Sequence, residues 1–527
     1  MQFFMRKPLL ALALCLSTAI SHAQTKIIKE VSDDIETQTR PIIQDNSLVG
    51  YLVFTRLEQA SQDSFNYKIT LMDENLNDIG TINFRDIGLE LGSVAFDQDV
   101  LCLAYLQSTV KGKIFKKIKE AKHSEDKNDV VTQFLTLEGK IIKVNAIPAE
   151  VESSLQLAGN RWVHRGYQYT ENLKHAIQLK NVSGKGFVLF YGDANGCNLA
   201  AFDFKGIQLW RKKIEDKQDF ALLASKSDIY LLEKEQEKYI EGGGSLVGFD
   251  FDKGSAYPKI QMEDRDGRSL TLMSFGNDPV TGNPYLCGKV INSRFGNHIV
   301  SAKNFTTGPY DGVYTMSING HSKKDIKQTF VYWKDGSQQP AINTKGYVAD
   351  AASFMVLSDA FRDYNGNTYF VGTELIRRLK IGTLVASLIT IPTFVLPPMI
   401  LGIGGTNKCK ATNAIVMKLS PKGVLTYDNT INCANTRFVK ANTDYRDIDQ
   451  RDYYDLSNPE SKNTYVVADD LKNIMIYNVA EKKVVRTIAH KAGNIRTYVA
   501  PAKEGHFMVI EYNKKEKYTS LSIEPLN

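Results

Sequence analysis

The sequence predicts an all-β protein, a single β-propeller of seven or eight four-stranded blades that is closed by an N-terminal strand. Three observations predict this fold. Short hairpins recur along the chain, each an apolar run, a Gly-containing turn and a second alternating run. Their spacing centres on about 60 residues, which suits one four-stranded blade with long loops. Helical periodicity is nearly absent after residue 24, so strands carry the pattern.

The propeller is expected to occupy residues 24–527, because residues 1–23 have the pattern of a signal peptide. Arg6 and Lys7 form its positive start, residues 9–20 are apolar, and Ser-His-Ala at 21–23 is a small-x-small cleavage site. The apolar stretch is too short for a spanning helix. We therefore expect an exported protein that is periplasmic, associated with the outer membrane or extracellular.

The hairpins are placed by residues that accept the backbone geometry of tight turns, chiefly Gly, Asn and Asp. The expected turns are 77–80, 138–139, 204–206, 252–254, 319–320, 421–423 and 480–482. Strands before them, such as 48–54, 187–191, 228–232 and 367–371, are short and rich in β-branched or aromatic residues. Seven blades follow from seven hairpins.

The two ends of the chain predict how the ring closes. After the last hairpin three strands fit, at 494–499, 506–512 and 518–523, which is one strand short of a blade. The segment 25–31 has the pattern of a strand and can supply the fourth, which removes exposed sheet edges. This composite blade makes eight, or seven if one hairpin is miscounted. The alternative is two all-β domains that meet around 444–463.

Charge and cysteine usage exclude some classes of protein. The formal net charge of +6 falls when the signal peptide is removed, and no concentrated basic face remains, so nucleic acid is not an expected partner. No Cys-x-x-Cys pair is present, which disfavours a zinc or redox centre. Cys409 and Cys433 could form a disulfide in an exported chain, or both could be buried small hydrophobic residues.

One apolar insertion, at about 375–410, interrupts the repeat. Residues 384–401 carry no charge, basic residues flank them, and Pro392, Pro397 and Pro398 disfavour a spanning helix. Two interpretations remain: a loop that covers or plugs the ring, or a surface that contacts a partner or, peripherally, a membrane. The expected contact residues are Leu384, Ile389, Phe394, Leu396, Met399 and Leu401.

A candidate metal site lies at Asp363, Asn365 and Asn367. Oxygen-bearing side chains at alternate positions around Gly366 resemble the start of a calcium loop. That loop needs Gly at its sixth position, whereas Gly366 is fourth. The alternative is a tight turn before a strand, because Asn and Gly tolerate positive φ.

A candidate ligand site lies in residues 444–455, which contain five Asp, three Tyr and two Arg. Tyrosine rings stack on sugars or peptides while carboxylates accept hydrogen bonds. The expected ligand-binding residues are Asp444, Tyr445, Asp447, Tyr453 and Tyr454. The alternative is a solvated loop between blades.

The search for catalytic patterns is negative. The chain has no Gly-x-Ser-x-Gly elbow, no His-Glu-x-x-His pair and no phosphate-binding loop, and its histidines are scattered. No cofactor is expected. Carboxylates from different blades could still converge in three dimensions, which keeps a glycan-acting hydrolase or lyase open.

The chain resembles exported, propeller-like proteins of Bacteroidota. The hairpin at 70–80 carries this resemblance, together with the run at 361–374, which is similar to the Asp-x-Asp-Gly-Asn-x-Tyr strand starts of bacterial propeller repeats. The resemblance implies a fold and a compartment, and it transfers no active site. Residues 200–210 also resemble a quinoprotein hairpin, but the Trp does not recur.

These observations favour a non-catalytic binding or scaffold module of the cell envelope. Its expected partner is an envelope protein, a peptide or a glycan, recognised on one face of the ring. The alternative is a glycan-acting hydrolase or lyase that uses carboxylates from several blades.

Overall fold

The structure is a computed structural model of the 527-residue chain. It describes residues 24–30, 36–44, 47–61, 64–108, 128–149, 177–193, 196–214, 219–234, 244–268, 270–291, 310–336, 339, 341–344, 346–349, 353–379, 407–434, 436–439 and 451–526. The expected signal peptide, residues 1–23, lies outside these ranges, so export stays a prediction.

The described residues form 33 β-strands and no α-helix. In chain order the strands are β1 (Gln24–Lys29), β2 (Glu36–Gln44), β3 (Ser47–Ser61), β4 (Ser64–Asp73), β5 (Asp78–Asp97), β6 (Val100–Ser108), β7 (Asn128–Thr136), β8 (Ile141–Pro148), β9 (Gln178–Val182), β10 (Gly186–Asp193), β11 (Gly196–Phe202), β12 (Gln208–Ile214), β13 (Asp219–Ser225), β14 (Asp228–Lys234), β15 (Ser245–Asp250), β16 (Ile260–Gln261) and β17 (Leu270–Asn277). They continue as β18 (Pro284–Ile291), β19 (Tyr310–Ile318), β20 (Ile326–Tyr332), β21 (Tyr347–Val348), β22 (Ser353–Arg362), β23 (Thr368–Leu379), β24 (Asn407–Leu419), β25 (Leu425–Ile431), β26 (Arg437–Val439), β27 (Asp452–Asn458), β28 (Asn463–Asp469), β29 (Asn473–Asn478), β30 (Lys483–Ala489), β31 (Ile495–Pro501), β32 (His506–Asn513) and β33 (Tyr518–Pro525). Two short 3₁₀ turns lie at Lys323–Asp325 and Trp333–Asp335. No described helix is long and apolar enough to cross a membrane.

The strands form antiparallel sheets in which chain neighbours pair. The first sheet contains β2 to β8, and its long strand β5 pairs with β4 along its first half and with β6 along its second half. We therefore divide this sheet into unit 1 (β2–β5) and unit 2 (β5–β8). The later sheets are unit 3 (β9–β12), unit 4 (β13–β16), unit 5 (β17–β20), unit 6 (β21–β26), unit 7 (β27–β30) and unit 8 (β31–β33 with β1).

All seven expected hairpins are present, and the first turn lies at 74–77 and not at the expected 77–80. They join β4 to β5, β7 to β8, β11 to β12, β15 to β16, β19 to β20, β24 to β25 and β29 to β30. The turn after β11 shows the local cause. The Asp203 carboxylate accepts the backbone N–H groups of Lys205 and Ile207 at 2.9 and 2.8 Å, and Gly206 takes a φ of +72°.

The segment that follows the expected signal peptide pairs with the last strand of the chain. β1 runs antiparallel to β33 from Gln24 opposite Ile523 to Lys29 opposite Tyr518. Unit 8 therefore has the strand order β1-β33-β32-β31. The N-terminal strand supplies the fourth strand of this sheet, as the sequence predicts.

The apolar core lies between consecutive units. Phe134 of unit 2, for example, packs against Phe187 and Phe202 of unit 3, with ring centroids 5.8 and 5.7 Å apart. A further cluster joins Tyr51 of unit 1 to Met508 of unit 8. Strand alternation places apolar side chains on both faces of the middle strands, so each sheet buries both faces.

The hairpin turns of units 3 and 4 pack on the last two strands of the preceding unit. A Cβ atom built at Gly206 would lie 2.8 Å from the Phe134 ring, and one built at Gly254 would lie 2.7 Å from the Trp210 ring. Trp210 Nε1 also donates to the Phe251 carbonyl at 2.6 Å. These glycines are required both by the turn and by the close approach of the neighbour.

In units 2, 4, 5 and 6, long connections join strands at the same end of the unit. The second and third long strands are joined by residues 109–127, 235–244, 292–309 and 380–406 in units 2, 4, 5 and 6, and residues 149–177 and 440–451 lead onward from units 2 and 6. Because neighbouring strands are antiparallel, all six leave the same end of their units. At the opposite end every described strand pair is joined by a short turn. We call these the long-connection end and the short-turn end.

Candidate functional site

Two aspartates, Asp359 and Asp455, lie on strands of neighbouring units that are in contact. Asp359 is on β22 of unit 6 and Asp455 on β27, the first strand of unit 7. A β-bulge between Leu357 and Asp359 interrupts the pairing of β22 with β23. Bulges change the direction of the side chains that follow them, and they are frequent beside active sites.

Burial governs the charge of both carboxyl groups. Asp359 is only 8% exposed, and burial raises its pKa well above the usual range for aspartate. The backbone N–H of Ala360 donates to the Asp359 carboxylate at 2.7 Å and lowers this pKa, while the charge of Asp455 raises it. Burial raises the pKa of Asp455 too, although its carboxyl accepts the Ser457 hydroxyl at 2.9 Å. As a whole residue, Asp455 is half-buried. The pair therefore holds a proton more tightly than isolated aspartates do.

A third unit contributes Tyr285 and Cys287 on β18. Burial raises the pKa of the Cys287 thiol to about 12, with Arg362 lowering it and the Asp359 charge raising it. Burial also raises the pKa of Tyr285, and the charge of Asp455 adds to that effect. Because β22 contacts both β18 and β27, residues of units 5, 6 and 7 form one cluster here.

Arg362 connects this cluster to an ionised carboxylate. Its guanidinium lies 4.6 Å from the centre of the Tyr285 ring, and its Nη1 donates to Asp278 at 2.9 Å and to Ser317 at 3.0 Å. Burial alone would raise the pKa of Asp278, but Arg362 and two backbone N–H groups outweigh it and lower that pKa. The Arg362 side chain is 8% exposed, and its Nε has no hydrogen-bond partner among the described residues.

The environments of Asp278 and Asp359 move the pKa values of these two carboxyl groups in opposite directions. Carboxyl groups whose environments move their pKa values apart can divide the roles of proton donor and proton acceptor. Asp278 is held ionised, while Asp359 is held toward its neutral form. Within the described ranges, no group of three or more His, Cys, Asp or Glu side chains is arranged to hold a metal ion.

The expected metal-binding residues form a tight turn. Asp363 is buried, and its Oδ1 accepts the N–H groups of Asn365 and Asn367 at 2.9 and 2.8 Å. Its Oδ2 accepts the side-chain amide of Asn367 at 2.8 Å, and Gly366 has a φ of +76°. These bonds match the alternative interpretation as a turn, and metal binding stays a prediction.

Two of the expected ligand-binding residues pack between units. The buried Tyr453 hydroxyl lies 2.8 Å from Thr373 Oγ1 of unit 6, and the Tyr454 hydroxyl donates to the Val499 carbonyl of unit 8 at 3.0 Å. Both polar ends therefore take part in contacts within the protein. Asp444, Tyr445 and Asp447 lie outside the described residues, so ligand binding by this segment stays a prediction.

The expected contact residues of the apolar insertion also lie outside the described residues. They are Leu384, Ile389, Phe394, Leu396, Met399 and Leu401. The same is true of the Cys409 side chain, although its strand is described. Cys433 is buried, with its Sγ 3.6 Å from the Ile431 carbonyl, and its pairing with Cys409 stays open.

The acidic pair was not selected by the sequence patterns, although one signal was present. Asp359 interrupts an apolar run from Phe354 to Phe361 on a strand, where a charged residue is costly unless it is functional or paired. Asp455 is the last residue of the acidic segment 444–455, which contains the predicted ligand site. No local pattern relates these two positions.

Comparisons with known proteins give limited matches. A model of a family of unknown function (DUF6770) matches residues 5–124. No curated protein matches the sequence significantly.

Among solved structures, the chain is similar to the WD40 domain of SCAP from fission yeast, at 9% identity and a TM-score of 0.37, covering 95% of this chain and 98% of that one. It is similar to apo AztD from Citrobacter koseri, at 7% identity and a TM-score of 0.38, covering 90% and 95%. It is also similar to the C-terminal WD40 domain of Sif2, at 7% identity and a TM-score of 0.40, covering 95% and 98%.

Proposed function

We propose that the protein is an exported, non-catalytic binding or scaffold module of the cell envelope, built on an eight-bladed β-propeller. Units 1 to 8 are the blades, and β1 closes the ring on β33. The apolar cluster between units 8 and 1 supports this closure. So does Lys26 of β1, whose Nζ donates to the Leu76 carbonyl in the hairpin turn of unit 1 at 3.4 Å.

The observation that carries the binding function is the placement of the long connections at one end of the units. In a propeller that end is one face of the ring, and binding residues concentrate in variable loops held by a rigid scaffold. Strands β23 and β24 extend to residue 379 and from residue 407, so the predicted insertion at about 375–410 is reduced to residues 380–406, which connect two strands at this end. Residues 109–127 and 292–309 connect strands at the same end. We propose that this face recognises a protein, a peptide or a glycan, with residues 384–401 at the contact.

Site-specific photo-crosslinking in envelope extracts tests which face binds. A crosslinker at Asn494, exposed in the connection between β30 and β31, samples the long-connection end. One at Val280, 62% exposed in the turn between β17 and β18, samples the short-turn end. We expect a discrete partner at Asn494 and none at Val280. The reverse pattern would contradict the proposed face.

Two matched deletions test the contribution of the apolar insertion. One variant replaces residues 381–406 by Asn-Gly, and the other replaces residues 110–126 in the same way. We expect loss of the Asn494 crosslink only with the first deletion. Unchanged partners and solubility after that deletion would exclude residues 384–401 as the contact.

Export has its own test. Mass spectrometry of the protein isolated from its native compartment should give Gln24 as the N-terminal residue. A chain that retains residues 1–23 in the cytoplasm would contradict this part of the proposal.

The acidic pair favours a second candidate function, a glycan-acting hydrolase or lyase. Asp359 and Asp455 have raised pKa values and lie on two strands that are in contact, and catalysis on a glycosidic bond uses a pair of carboxyl groups. Turnover of a polysaccharide panel by the mature protein should then fall at least about 100-fold in Asp359→Asn and Asp455→Asn. The exposed Asp335→Asn serves as control. Absent turnover, or equal turnover in all three variants, would contradict this candidate.

A further inference from the structure

We propose that the outer edge of β8, which pairs with no strand among the described residues, binds an extended acidic segment of a partner protein by strand addition, together with the neighbouring strand β12. This surface, which we call the edge surface, comprises β8, β12 and Ile207. It lies on the outer wall of units 2 and 3 and is separate from the long-connection end.

The two strands form one continuous surface. β8 is the last strand of its sheet and β12 is the outermost strand of the next. The Asn145 side-chain amide of β8 donates to the Gly206 carbonyl in the turn before β12 at 3.0 Å. A Cβ atom at Gly206 would lie 3.0 Å from the Cβ atom of Lys143, so no gap separates the two units here.

The edge surface concentrates exposed apolar side chains. Five of the eleven large hydrophobic residues that are exposed among the described residues belong to it. They are Ile141 (42% exposed), Ile142 (39%), Val144 (50%), Ile207 (49%) and Leu209 (43%). An apolar edge strand with unpaired backbone groups is a template for another strand, and proteins normally cover or charge it.

The charges on these strands have one sign. β8 and β12 carry Lys143, Arg211, Lys212 and Lys213 and no carboxylate. The turn residue Asp203 uses its carboxylate on backbone N–H groups, and Glu138 is the exposed acid of the turn before β8. Charge complementarity therefore selects a partner with acidic side chains.

The geometry favours an extended partner over a second copy of the chain. Strand addition uses main-chain hydrogen bonds for affinity and alternate side chains for specificity, so aliphatic and acidic residues should alternate in the partner. A two-fold contact between two copies of the edge surface would bring two sets of basic side chains together with no carboxylate from either strand, which is unfavourable. Pro148 ends β8, which limits the pairing to about seven residues.

Fluorescence anisotropy with the full mature protein tests the proposal. The probe is a fluorescein-labelled decapeptide of alternating Glu and Val, and the comparison peptide alternates Lys and Val. We expect saturable binding of the Glu–Val peptide that weakens as salt rises, because exposed charges are screened. The Lys–Val peptide should not bind.

Two double variants test the charge and the apolar contribution separately. Lys143→Glu with Lys213→Glu reverses two exposed charges, and Ile142→Thr with Val144→Thr removes aliphatic contacts while keeping strand propensity. Each should weaken binding at least about tenfold. Lys422→Glu with Val424→Thr, exposed in the turn before β25, is the matched control and should bind as the wild type does.

Hydrogen exchange provides a readout that does not depend on the variants. The bound peptide should slow amide exchange within residues 141–147. Equal binding by all variants, or no binding of the Glu–Val peptide, would overturn the proposal. The proposal would also be overturned if the main effect of the two double variants were the loss of a concentration-dependent dimer. Loss of binding to phosphatidylglycerol vesicles as their main effect would overturn it in the same way.

Discussion

Single glycines in the hairpin turns set how closely neighbouring units approach. At Gly206 the backbone φ of +72° disfavours any side chain, and the Phe134 ring occupies the space that a Cβ atom would need. At Gly267 the φ is similar, +74°, but no atom lies within 4 Å of the added Cβ. The two positions therefore separate backbone strain from steric overlap.

Replacing these two glycines should give different losses of stability. Gly267→Ala should lose about 1 kcal/mol of unfolding free energy from backbone strain alone. Gly206→Ala should lose about 1–3 kcal/mol more, because Phe134 must move in a packed interface. Urea unfolding of both variants measures the difference, and equal losses would contradict the role of Gly206 in packing between units.

His490 links two strands of unit 7 through a charged hydrogen bond. Its Nε2 lies 2.8 Å from Asp469 Oδ1, and its backbone N–H donates to the Lys472 carbonyl at 2.8 Å. The bond to Asp469 raises the pKa of His490 above its ordinary value of 6.5, although burial opposes this. The folded state therefore binds a proton more tightly than the unfolded state does.

This difference predicts the direction of a pH effect. Because the folded pKa is raised, the stabilisation is fully present below pH 6.5 and is lost as the pH rises through the folded pKa. The excess stability of the wild type over His490→Gln should thus be largest below pH 6.5. Thermal unfolding of both proteins across this range, with Asp469→Asn as a second variant, measures it. An excess that grows at higher pH would contradict the assignment.

At the scale of elements, Arg268 forms ion pairs within the segment between β16 and β17 and with unit 5. It pairs with Asp264 at 2.7 Å, with Asp311 at 3.0 Å and with Asp266 at 3.0 Å. Its guanidinium lies 4.7 Å from the centre of the Tyr332 ring. The Asp264 side chain is fully buried, so its charge depends on these partners.

Removing Arg268 should be costly. Arg268→Ala leaves a buried carboxylate without its cation, and loss of one partner of a buried pair costs about 3 kcal/mol or more. Arg265→Ala, exposed three residues earlier, should change the unfolding free energy by less than about 0.5 kcal/mol. Chemical denaturation of the two variants tests this, and similar losses would show that the network is not stabilising.

Three strands carry a β-bulge at a similar place, and Asp359 of the acidic pair follows one of them. β5, β17 and β22 carry bulges at Leu91/Ser93, Leu272/Ser274 and Leu357/Asp359. In unit 2 the residue after the bulge, Ser93, accepts the Leu179 N–H of unit 3 at 3.2 Å. Unit 6 has Asp359 at the matching place, which puts a carboxyl group where another unit has a structural hydroxyl.

At the scale of the whole molecule, the pairing of β1 with β33 joins the two ends of the described chain. Ile27 lies opposite Ser520 in this pair and is 56% exposed. The contact can therefore be trapped without disturbing the core.

A disulfide between these positions tests the closure. Ile27→Cys with Ser520→Cys should oxidise readily, migrate faster on a non-reducing gel and unfold at a free energy about 4 kcal/mol higher, because it closes a very long loop. The control, Ile27→Cys with Ser522→Cys, is out of register, since Ser522 faces Thr25. Equal cross-linking of the two pairs would contradict the register.

The sequence by itself determined the strands, the seven hairpins and the pairing of the N-terminal strand with the last sheet. These depend on local rules. Strands follow from period-two alternation, and tight turns follow from an Asp such as Asp203, which accepts backbone N–H groups, and a Gly such as Gly206, which adopts a positive φ. A missing fourth strand is also visible in the sequence, because strands can be counted.

Only the tertiary structure decided where the polar groups of the site meet. Asp359 and Asp455 belong to different units, and the contact between β22 and β27 that couples them depends on how sheets pack. Packing between sheets also determines the contacts of Tyr453 and Tyr454, which belong to the segment whose composition predicted a ligand site. Their hydroxyl groups bond to units 6 and 8 instead. Contacts between sheets have no sequence period, so local patterns cannot encode them.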